Sequence, residues 1–286
     1  MKENPKLTII TINLNNKDGL RKTIKSVVVQ TTHEFEYIVI DGGSTDGSVE
    51  VIKEYEEYID YWVSEPDKGI YNAMNKGVQK AHGEFCQFLN SGDWLYSNIV
   101  VECMLPYFDL DRDIWIGNIT LIKDNKIVKC HTNAPKELTL CRLIDYHLPH
   151  QAIFIKTGLL IDISYNESLK MVSDWEFFIN AYLSDAKFGR IPFDIAYFNL
   201  EGISSTRDIR EECLPIRDTL VHPEVYNEIK NMPSEIIYLF NQIPYSYKLQ
   251  KMICAIDKLI VKIYSAINRN SVIKSEKYVN YPPQFC

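Results

Sequence analysis

The N-terminal part of the chain alternates apolar runs with an amphipathic stretch. Leu7 to Leu14 is rich in β-branched residues, which is typical of a strand buried on both faces of a sheet. A second apolar run, Tyr37 to Ile40, predicts another buried strand. Between them, residues 20–30 place apolar side chains on one face at helical spacing. The pattern therefore predicts a βαβ unit.

The same rhythm continues through the next segments and then changes. Helices are predicted over 48–58 and 71–81, and strands over 61–63 and 84–89. This alternation is typical of a parallel sheet with helices on both faces. Beyond Asp93 the pattern predicts a mixed second half, with the globular core ending near Arg207. Its predicted elements are a helix over 98–108, a hairpin of 114–122 with 127–130, a strand over 151–156, a helix over 174–183 and a strand over 194–199.

The C-terminal tail differs in kind from the rest of the chain. Residues 247–268 repeat apolar side chains at helical spacing, and between Tyr245 and Cys286 seven basic residues stand against two acidic ones. A basic amphipathic helix can lie on an anionic membrane surface. The same apolar stripe can pack on the core or form a dimer interface. Both alternatives stay open.

Composition excludes several classes of partner and site. The chain has 286 residues, a formal net charge of −7 and seven cysteines. The negative charge argues against a nucleic-acid partner, because phosphate backbones are bound by clusters of Lys and Arg. The cysteines are odd in number and never in C-x-x-C spacing, which favours a reducing cytosol over a disulfide framework or zinc site. No apolar stretch reaches about 18 residues. We therefore expect a cytoplasmic protein, soluble or bound peripherally at the inner face of the cell membrane.

Polar side chains follow the predicted strands at the point where each strand ends. In an open α/β sheet, ligands bind at the carboxyl ends of the strands. Any one of these residues alone is more often a turn former or helix cap, but four strand ends in a row indicate a binding site. They are Thr11, Asn13 and Asn15 at the first strand, Asp41 at the second, Glu65 and Asp67 at the third, and Asn90 and Asp93 at the fourth.

The glycine-rich segment 41–47 is not a dinucleotide fingerprint. Its sequence, Asp-Gly-Gly-Ser-Thr-Asp-Gly, does not match G-x-G-x-x-G, and it follows the second predicted strand instead of the first. A dehydrogenase is therefore rejected. A carboxylate at this strand end can accept hydrogen bonds from a nucleobase or ribose, while the glycines permit close backbone approach. The alternative is a simple turn with a helix cap.

Several ordered segments resemble glycosyltransferase family two, the inverting enzymes of GT-A fold, and especially its bacterial polysaccharide enzymes. They are 7–15, 37–48, 64–77, 81–85, 88–93, His150-Gln151 and 173–176. The resemblance implies an α/β, Rossmann-like GT-A fold with a mixed, mostly parallel sheet flanked by helices. It implies a domain over 1–207, with a nucleotide-binding half over 1–95 and an acceptor half over 96–207. Residues 208–286 are then a helical C-terminal extension.

The resemblance also implies roles on the donor side. Asp93 corresponds to the last carboxylate of the family's metal-binding cluster, which holds Mn²⁺ or Mg²⁺, hard cations that take oxygen ligands. The family often shows Asp-x-Asp-Asp where residues 90–93 read Asn-Ser-Gly-Asp. The cation must therefore rest on Asp93 and on the donor diphosphate. The residues expected to bind the nucleotide-sugar donor are Thr11, Asn13, Asp41, Asp67, Lys68, Asn90 and Arg207.

On the acceptor side, Asp174 matches the family's catalytic base, which takes a proton from the acceptor hydroxyl. From the residues alone, Asp174 is also a candidate N-cap of the helix that follows, and Glu176 is a second acidic candidate. His150 and Trp175 are expected in the acceptor region.

We therefore expect an inverting, metal-dependent hexosyltransferase that moves one sugar from a nucleotide-sugar donor, in this family most commonly a UDP-sugar. The expected acceptor is a polysaccharide or lipid-linked oligosaccharide. The chain lacks the Gln-x-x-Arg-Trp motif of processive members, which favours single transfer. The thinned acidic cluster leaves an alternative, a non-catalytic nucleotide-sugar or glycan-binding protein with a degenerate metal site. A nucleotidyltransferase would need a Gly-rich basic loop after the first strand, and residues 14–19 fit it poorly.

Overall fold

The computed structural model describes residues 5–124, 126–132, 138, 143–144, 146–201 and 209–220. Arg207 and the predicted helix over 247–268 lie outside the described residues. The strands belong to one compact unit, Met1–Lys136 with His147–Glu212, and the second unit is Glu137–Tyr146 with Cys213–Cys286. The predicted boundary after residue 207 stays a prediction.

The N-terminal half contains the predicted alternation of strands and helices. Its elements are β1 (Leu7–Asn13), α1 (Lys17–Val28), β2 (Phe35–Asp41), α2 (Ser48–Glu54), β3 (Tyr61–Ser64), α3 (Ile70–Val78) and β4 (Phe85–Phe88). Helix α1 begins after Asn16, whose side chain caps it by accepting a hydrogen bond from the backbone N–H of Gly19. Leu20, Ile24 and Val27 form its buried face. Hydrophobic periodicity thus accounts for this half.

The C-terminal half mixes short and long elements. They are β5 (Trp94–Leu95), α4 (Val100–Phe108), β6 (Ile114–Lys123), β7 (Lys126–Thr132), β8 (Ile153–Lys156), α5 (Thr157–Ile163), α6 (Ser173–Leu183), β9 (Phe188–Asn199) and α7 (Arg210–Leu220). The predicted hairpin is β6 with β7. Strand β5 and helix α5 were not predicted, because short or weakly periodic segments give little sequence signal. Helix α7 lies within the helical extension predicted over 208–286.

The strands pair in the order β3-β2-β1-β4-β8-β6-β9-β5, with β7 on β6. Strands β3, β2, β1 and β4 are parallel, β8 is antiparallel to β4 and β6, and β9 is parallel to β6. Strands β1, β2, β4, β6 and β9 therefore all end at the same edge of the sheet. The packed core includes Ile9, Leu20, Val39, Phe85 and Phe154.

Two predicted strands differ from the observed ones for local reasons. The strand predicted over 151–156 begins only at Ile153, because His150–Ala152 forms a 3₁₀ turn in which Ala152 N–H donates to the Pro149 carbonyl. The strand predicted over 194–199 begins earlier, at Phe188. Its register against β6 shifts near Pro192, and a bulge accommodates a proline that interrupts the apolar pattern.

Within the described residues, no helix is both long enough and apolar enough to cross a bilayer.

Candidate active site

The polar side chains predicted at the strand ends do meet at one edge of the sheet. Asn13 and Asp41 are register partners at the ends of β1 and β2, and Ser64 at the end of β3 is the partner of Asp41 on its other side. Parallel pairing places these ends side by side. Two of the predicted side chains, Asn13 and Asp41, therefore lie side by side at this edge.

Asp41 is the centre of this cluster and is fully buried. Its Oδ1 accepts hydrogen bonds from Asn13 Nδ2 (2.7 Å) and Ser44 Oγ (2.6 Å). Its Oδ2 accepts from the backbone N–H of Ser44 (2.9 Å) and from Ser64 Oγ (2.6 Å). Burial raises the pKa of Asp41, but these hydrogen bonds outweigh it and leave the pKa below its usual value. The carboxylate is ionised and orders the loop after β2, with its four acceptor positions filled by the protein.

The other predicted donor residues of this half divide into buried and accessible ones. Thr11 is fully buried and its hydroxyl lies 3.0 Å from that of Tyr37. Asp67 is half-buried and Lys68 is exposed, in the loop after β3. A Cβ on Gly42 would lie 2.6 Å from Oδ2 of Asp67, so this glycine allows the two loops to approach. Asp67 and Lys68 are thus the accessible members of this set.

Asp93 lies beyond the end of β4 and is 6 % exposed. Its Oδ1 accepts a hydrogen bond from the backbone N–H of Asn199 (2.9 Å), and its Oδ2 accepts from Nε2 of Gln151 (2.9 Å). Burial raises the pKa of Asp93 to about 6, although these two hydrogen bonds act in the opposite direction. The carboxylate therefore carries an ionisation cost that a nearby positive charge would relieve.

Asp93 fits a cation site in which the protein supplies a single carboxylate. Each of its oxygens accepts one hydrogen bond and keeps an acceptor position free. Among the described residues, no group of three or more His, Cys, Asp or Glu is arranged to hold a metal ion. A cation at Asp93 would therefore need oxygen ligands from a bound diphosphate and from water, which suits Mg²⁺ or Mn²⁺.

Asp174 is held by three donors at the start of α6. Its Oδ1 accepts hydrogen bonds from the hydroxyl of Tyr71 (3.0 Å) and the backbone N–H of Trp175 (2.9 Å). Its Oδ2 lies 3.0 Å from Nδ1 of His150. Burial raises the pKa of Asp174, but these hydrogen bonds, that of His150 foremost, leave it below its usual value. The side chain is 16 % exposed, so the ionised carboxylate is partly accessible.

The interpretation of Asp174 as an N-cap is wrong. Helix α6 begins at Ser173 with Val172 at the cap position, so Asp174 lies inside the first turn. Its carboxylate is therefore free to contact groups from other elements. Glu176 points elsewhere, since its carboxylate accepts a hydrogen bond from Nδ2 of Asn166 (3.1 Å). Burial raises the pKa of Glu176.

His150 connects the two predicted halves of the site. Its Nε2 lies 3.1 Å from Nδ2 of Asn90, and its Nδ1 contacts Asp174. Trp175 is 2 % exposed, and its ring stacks on that of His147 with centroids 5.3 Å apart. The Trp175 ring is thus buried behind the accessible surface. A direct contact between this ring and an acceptor stays a prediction.

Sequence reasoning missed three residues that hold the key carboxylates, Tyr71, Gln151 and Asn199. Tyr71 was predicted only as the first residue of a helix and as part of the segment 64–77, and it is 4 % exposed. Gln151 was noted only as part of the His150-Gln151 pair, one of the segments that resemble the family. Asn199 contributes a backbone N–H, for which no side-chain signal exists.

Comparison with known proteins identifies the class to which this site belongs. Residues 8–166, more than half of the chain, match the family model described as glycosyl transferase family 2. The chain belongs to glycosyl transferase family 2 and is a glycosyltransferase. The family membership expected from the ordered segments is therefore confirmed.

Curated relatives and solved structures agree with this assignment. An uncharacterised glycosyltransferase of Mycobacterium tuberculosis, MT1564, is 33 % identical over 187 residues, which cover 63 % of this chain and 70 % of the relative. A PGL/p-HBAD biosynthesis glycosyltransferase of Mycobacterium bovis is 28 % identical over 211 residues, covering 71 % of this chain and 80 % of the relative.

Two solved structures share the fold. S. aureus TarS 1–349 in complex with UDP-GlcNAc has a TM-score of 0.63 at 23 % identity, covering 74 % of this chain and 64 % of that one. The mannosyltransferase PcManGT of Pyrobaculum calidifontis, in complex with GDP-Man and Mn²⁺, has a TM-score of 0.53 at 13 % identity, covering 81 % and 66 %. The chain thus spans less than two thirds of the TarS chain. The expected GT-A-like α/β fold is confirmed.

Proposed function

We propose that this chain is an inverting, metal-dependent hexosyltransferase that transfers one sugar per event from a UDP-sugar to a polysaccharide or lipid-linked saccharide. The observation that carries the proposal is the ionised, partly exposed carboxylate of Asp174, held by Tyr71 and His150. Unlike Asp41, Asp174 combines an ionised carboxylate with partial exposure and an open acceptor position on Oδ2, which suits it to take a proton from an acceptor hydroxyl.

The chemistry follows from the free lone pairs of Asp174. Oδ1 already accepts two hydrogen bonds and Oδ2 accepts one, so Oδ2 has the open position. The acceptor hydroxyl gives its proton to Oδ2, and its oxygen forms a bond to the anomeric carbon. The bond from that carbon to the donor phosphate oxygen breaks, and the nucleoside diphosphate leaves with the electron pair. Attack opposite the leaving group inverts the anomeric centre.

On the donor side, Asp93 would hold Mn²⁺ or Mg²⁺ together with the diphosphate. A bound divalent cation neutralises the negative charge that develops on the departing nucleotide. Lys68 is exposed near the same cleft and fits phosphate as a point charge. We assign Thr11, Asn13 and Asp41, together with Asp67, to the part of the site that binds the nucleoside. Asn90 completes the donor set within the described residues, and Arg207 is retained from the sequence prediction alone.

The relatives support donor and acceptor only by analogy. TarS binds UDP-GlcNAc and PcManGT binds GDP-Man with Mn²⁺, so a nucleoside diphosphate sugar is the expected donor. The Mycobacterium bovis relative is named for PGL/p-HBAD biosynthesis, which favours a lipid-linked or polysaccharide acceptor. A cytoplasmic protein that meets such an acceptor at the membrane, through the predicted helix over 247–268, remains our expectation for the location.

Replacing Asp174 with Asn tests the proposal. We expect release of nucleoside diphosphate from a UDP-sugar, with Mn²⁺ and acceptor, to fall by about 10²- to 10⁴-fold, because the general base is lost. Affinity for UDP with Mn²⁺, measured by calorimetry, should stay within about threefold, because donor binding does not use Asp174. UDP- and GDP-sugars are first screened by thermal shift with Mn²⁺, since a bound donor stabilises the folded state.

Glu176→Gln is the matched control for this experiment. It removes a buried carboxylate from the same helix turn without touching Asp174. Full activity in Asp174→Asn, or equal losses in both variants, would contradict the assignment of the base.

A further inference from the structure

Two neighbouring residues, His150 and Gln151, contact the two carboxylates that the proposed reaction needs. Nδ1 of His150 lies 3.0 Å from Oδ2 of Asp174, which is 24 positions away in the chain. Nε2 of Gln151 donates to Oδ2 of Asp93 at 2.9 Å, which is 58 positions away. One short turn therefore touches both ends of the predicted reaction, the base and the cation ligand.

The backbone of this turn is anchored in the middle of the sheet. The carbonyl of Gln151 accepts a hydrogen bond from Nε2 of Gln87 on β4 (2.8 Å). Ala152 is fully buried, and β8 begins at the next residue, between β4 and β6. Side chains on an anchored backbone hold their partners in a defined geometry better than side chains on a mobile loop. The turn is thus suited to fixing the positions of other groups.

Asn90 explains how His150 is oriented. The amide of Asn90 donates from Nδ2 to Nε2 of His150, which requires Nε2 to be the unprotonated nitrogen. The proton of the neutral ring then lies on Nδ1, from which it is donated to Asp174. An aspartate at position 90 could not donate this hydrogen bond. The departure from the family's acidic pattern therefore selects the imidazole tautomer that serves the base.

We propose that the turn His150–Ala152 is a positioning element, in which His150 orients the base Asp174 and Gln151 orients the cation ligand Asp93. This inference rests on the proposed function. It adds that one pair of adjacent side chains links the two carboxylates, acting together with the hydroxyl of Tyr71 and the backbone N–H groups of Trp175 and Asn199. Neither His150 nor Gln151 exchanges a proton or bond with the substrate.

The first test does not depend on turnover. In protein labelled with ¹⁵N-histidine, the signal of His150 is identified among the six histidines by its absence in His150→Asn. We expect the neutral ring at pH 8 to carry its proton on Nδ1. Asn90→Asp should change this state, because its carboxylate favours a proton on Nε2. A wild-type ring protonated on Nε2 alone would overturn the role of His150.

The second test separates the two residues by kinetics. The amide nitrogen of Asn can take the place of Nδ1, whereas that of Gln can take the place of Nε2. We expect His150→Gln to lower kcat by about 10- to 100-fold with little change in donor KM, while His150→Asn stays within about fivefold of wild type.

Gln151→Met keeps the shape of the side chain but loses the N–H group that donates to Asp93. It should raise the half-saturating Mn²⁺ concentration, and weaken calorimetric binding of UDP with Mn²⁺, by about tenfold.

The pH profile adds a readout that a general loss of structure would not give. Among the residues that the structure describes, the titratable side chains facing Asp174 are Tyr71, Tyr165, His147 and His150. Removal of the His150 hydrogen bond raises the pKa of Asp174, so the acid limb of kcat/KM should move to higher pH in His150→Gln. The limb should not move in Gln151→Met, because Gln151 contacts the other carboxylate.

The outcomes distinguish this inference from the proposed function. If the wild type releases no nucleoside diphosphate from any nucleotide sugar, the proposed function fails, and the histidine tautomer and the calorimetry on Gln151→Met still test the turn. If the wild type is active but His150→Gln and Gln151→Met show the same defect or none, the inference alone fails. Thermal unfolding of each variant, followed by circular dichroism, excludes a folding defect as the cause.

Discussion

Tyr71→Phe is the most direct test of how the protein controls its base. The substitution removes only the hydroxyl that donates to Oδ1 of Asp174 at 3.0 Å, and leaves the buried ring in place. A hydrogen bond to a charged group contributes about 1.5–3 kcal/mol. A free-energy difference of about 1.4 kcal/mol between the two protonation states corresponds to one pKa unit. Because a protonated carboxyl can keep part of the hydrogen bond from Tyr71, we use the lower end of the range, about 1.5 kcal/mol.

The sign follows from the direction of the pKa shift. Hydrogen bonds hold the pKa of Asp174 below its usual value against the effect of burial. Loss of one donor raises this pKa, so the base is protonated at a higher pH than in the wild type. We expect the acid limb of kcat/KM to move upward by about one pH unit, with activity near wild type on the alkaline side.

Tyr165→Phe supplies the matched control. The Tyr165 hydroxyl is buried near the same carboxylate, with its ring centroid 5.6 Å from that of Tyr71, but among the described residues it has no hydrogen-bond partner. Its removal should leave the acid limb where it is. Steady-state nucleoside diphosphate release across pH 4.5–9 with saturating Mn²⁺ is the assay, roughly the range in which carboxylate and imidazole pKa values fall. Equal profiles for Tyr71→Phe and the wild type, or a displaced limb in Tyr165→Phe, would refute the reasoning.

Two further predictions concern the donor side. Burial raises the pKa of Asp93 to about 6, so ionisation of this group lowers the free energy of unfolding as the pH rises from about 4 to 6. Asp93→Asn should therefore raise the Tm of the metal-free protein at pH 8 and weaken the binding of UDP with Mn²⁺ measured by calorimetry. A lower Tm in this variant would contradict the prediction. Gly42→Ala places a Cβ 2.6 Å from Oδ2 of Asp67, so we expect UDP affinity to fall by about threefold or more with little change in Tm. Gly158→Ala, where nothing lies within 4 Å of the new Cβ, is the control and should leave UDP binding unchanged.

The fold was predictable from the sequence wherever one periodicity dominated. Apolar runs such as β1 and β2 are buried on both faces, and their residue pattern is the direct consequence of that burial. The 3₁₀ turn before β8 was not predictable, because it depends on a local backbone bond to Pro149. The extra length of β9 was also not predictable, because Pro192 and the bulge near it interrupt the apolar pattern while the strand continues.

For the site, the sequence could place residues at the sheet edge but could not say which would remain accessible. Asp41 was expected to contact the donor, yet its oxygens accept hydrogen bonds from Asn13, from Ser44 in the loop after β2 and from Ser64 at the end of β3. Tyr71 was predicted only as the start of a helix. The fate of its hydroxyl depends on Asp174, which lies 103 positions further along the chain. Such long-range pairings leave no local pattern to detect.

The residue that sequence reasoning interpreted least completely is Asn90. In isolation it is a missing carboxylate, and that absence left a degenerate site as an alternative. In the structure its amide donates to Nε2 of His150, a hydrogen bond that an aspartate carboxylate could not donate, and Nδ1 of the same ring lies 3.0 Å from Asp174. Asparagine also places one negative charge fewer at this position than aspartate would. Substitution of the acidic motif therefore alters how the base is held, and it gives no physical reason for the loss of catalysis.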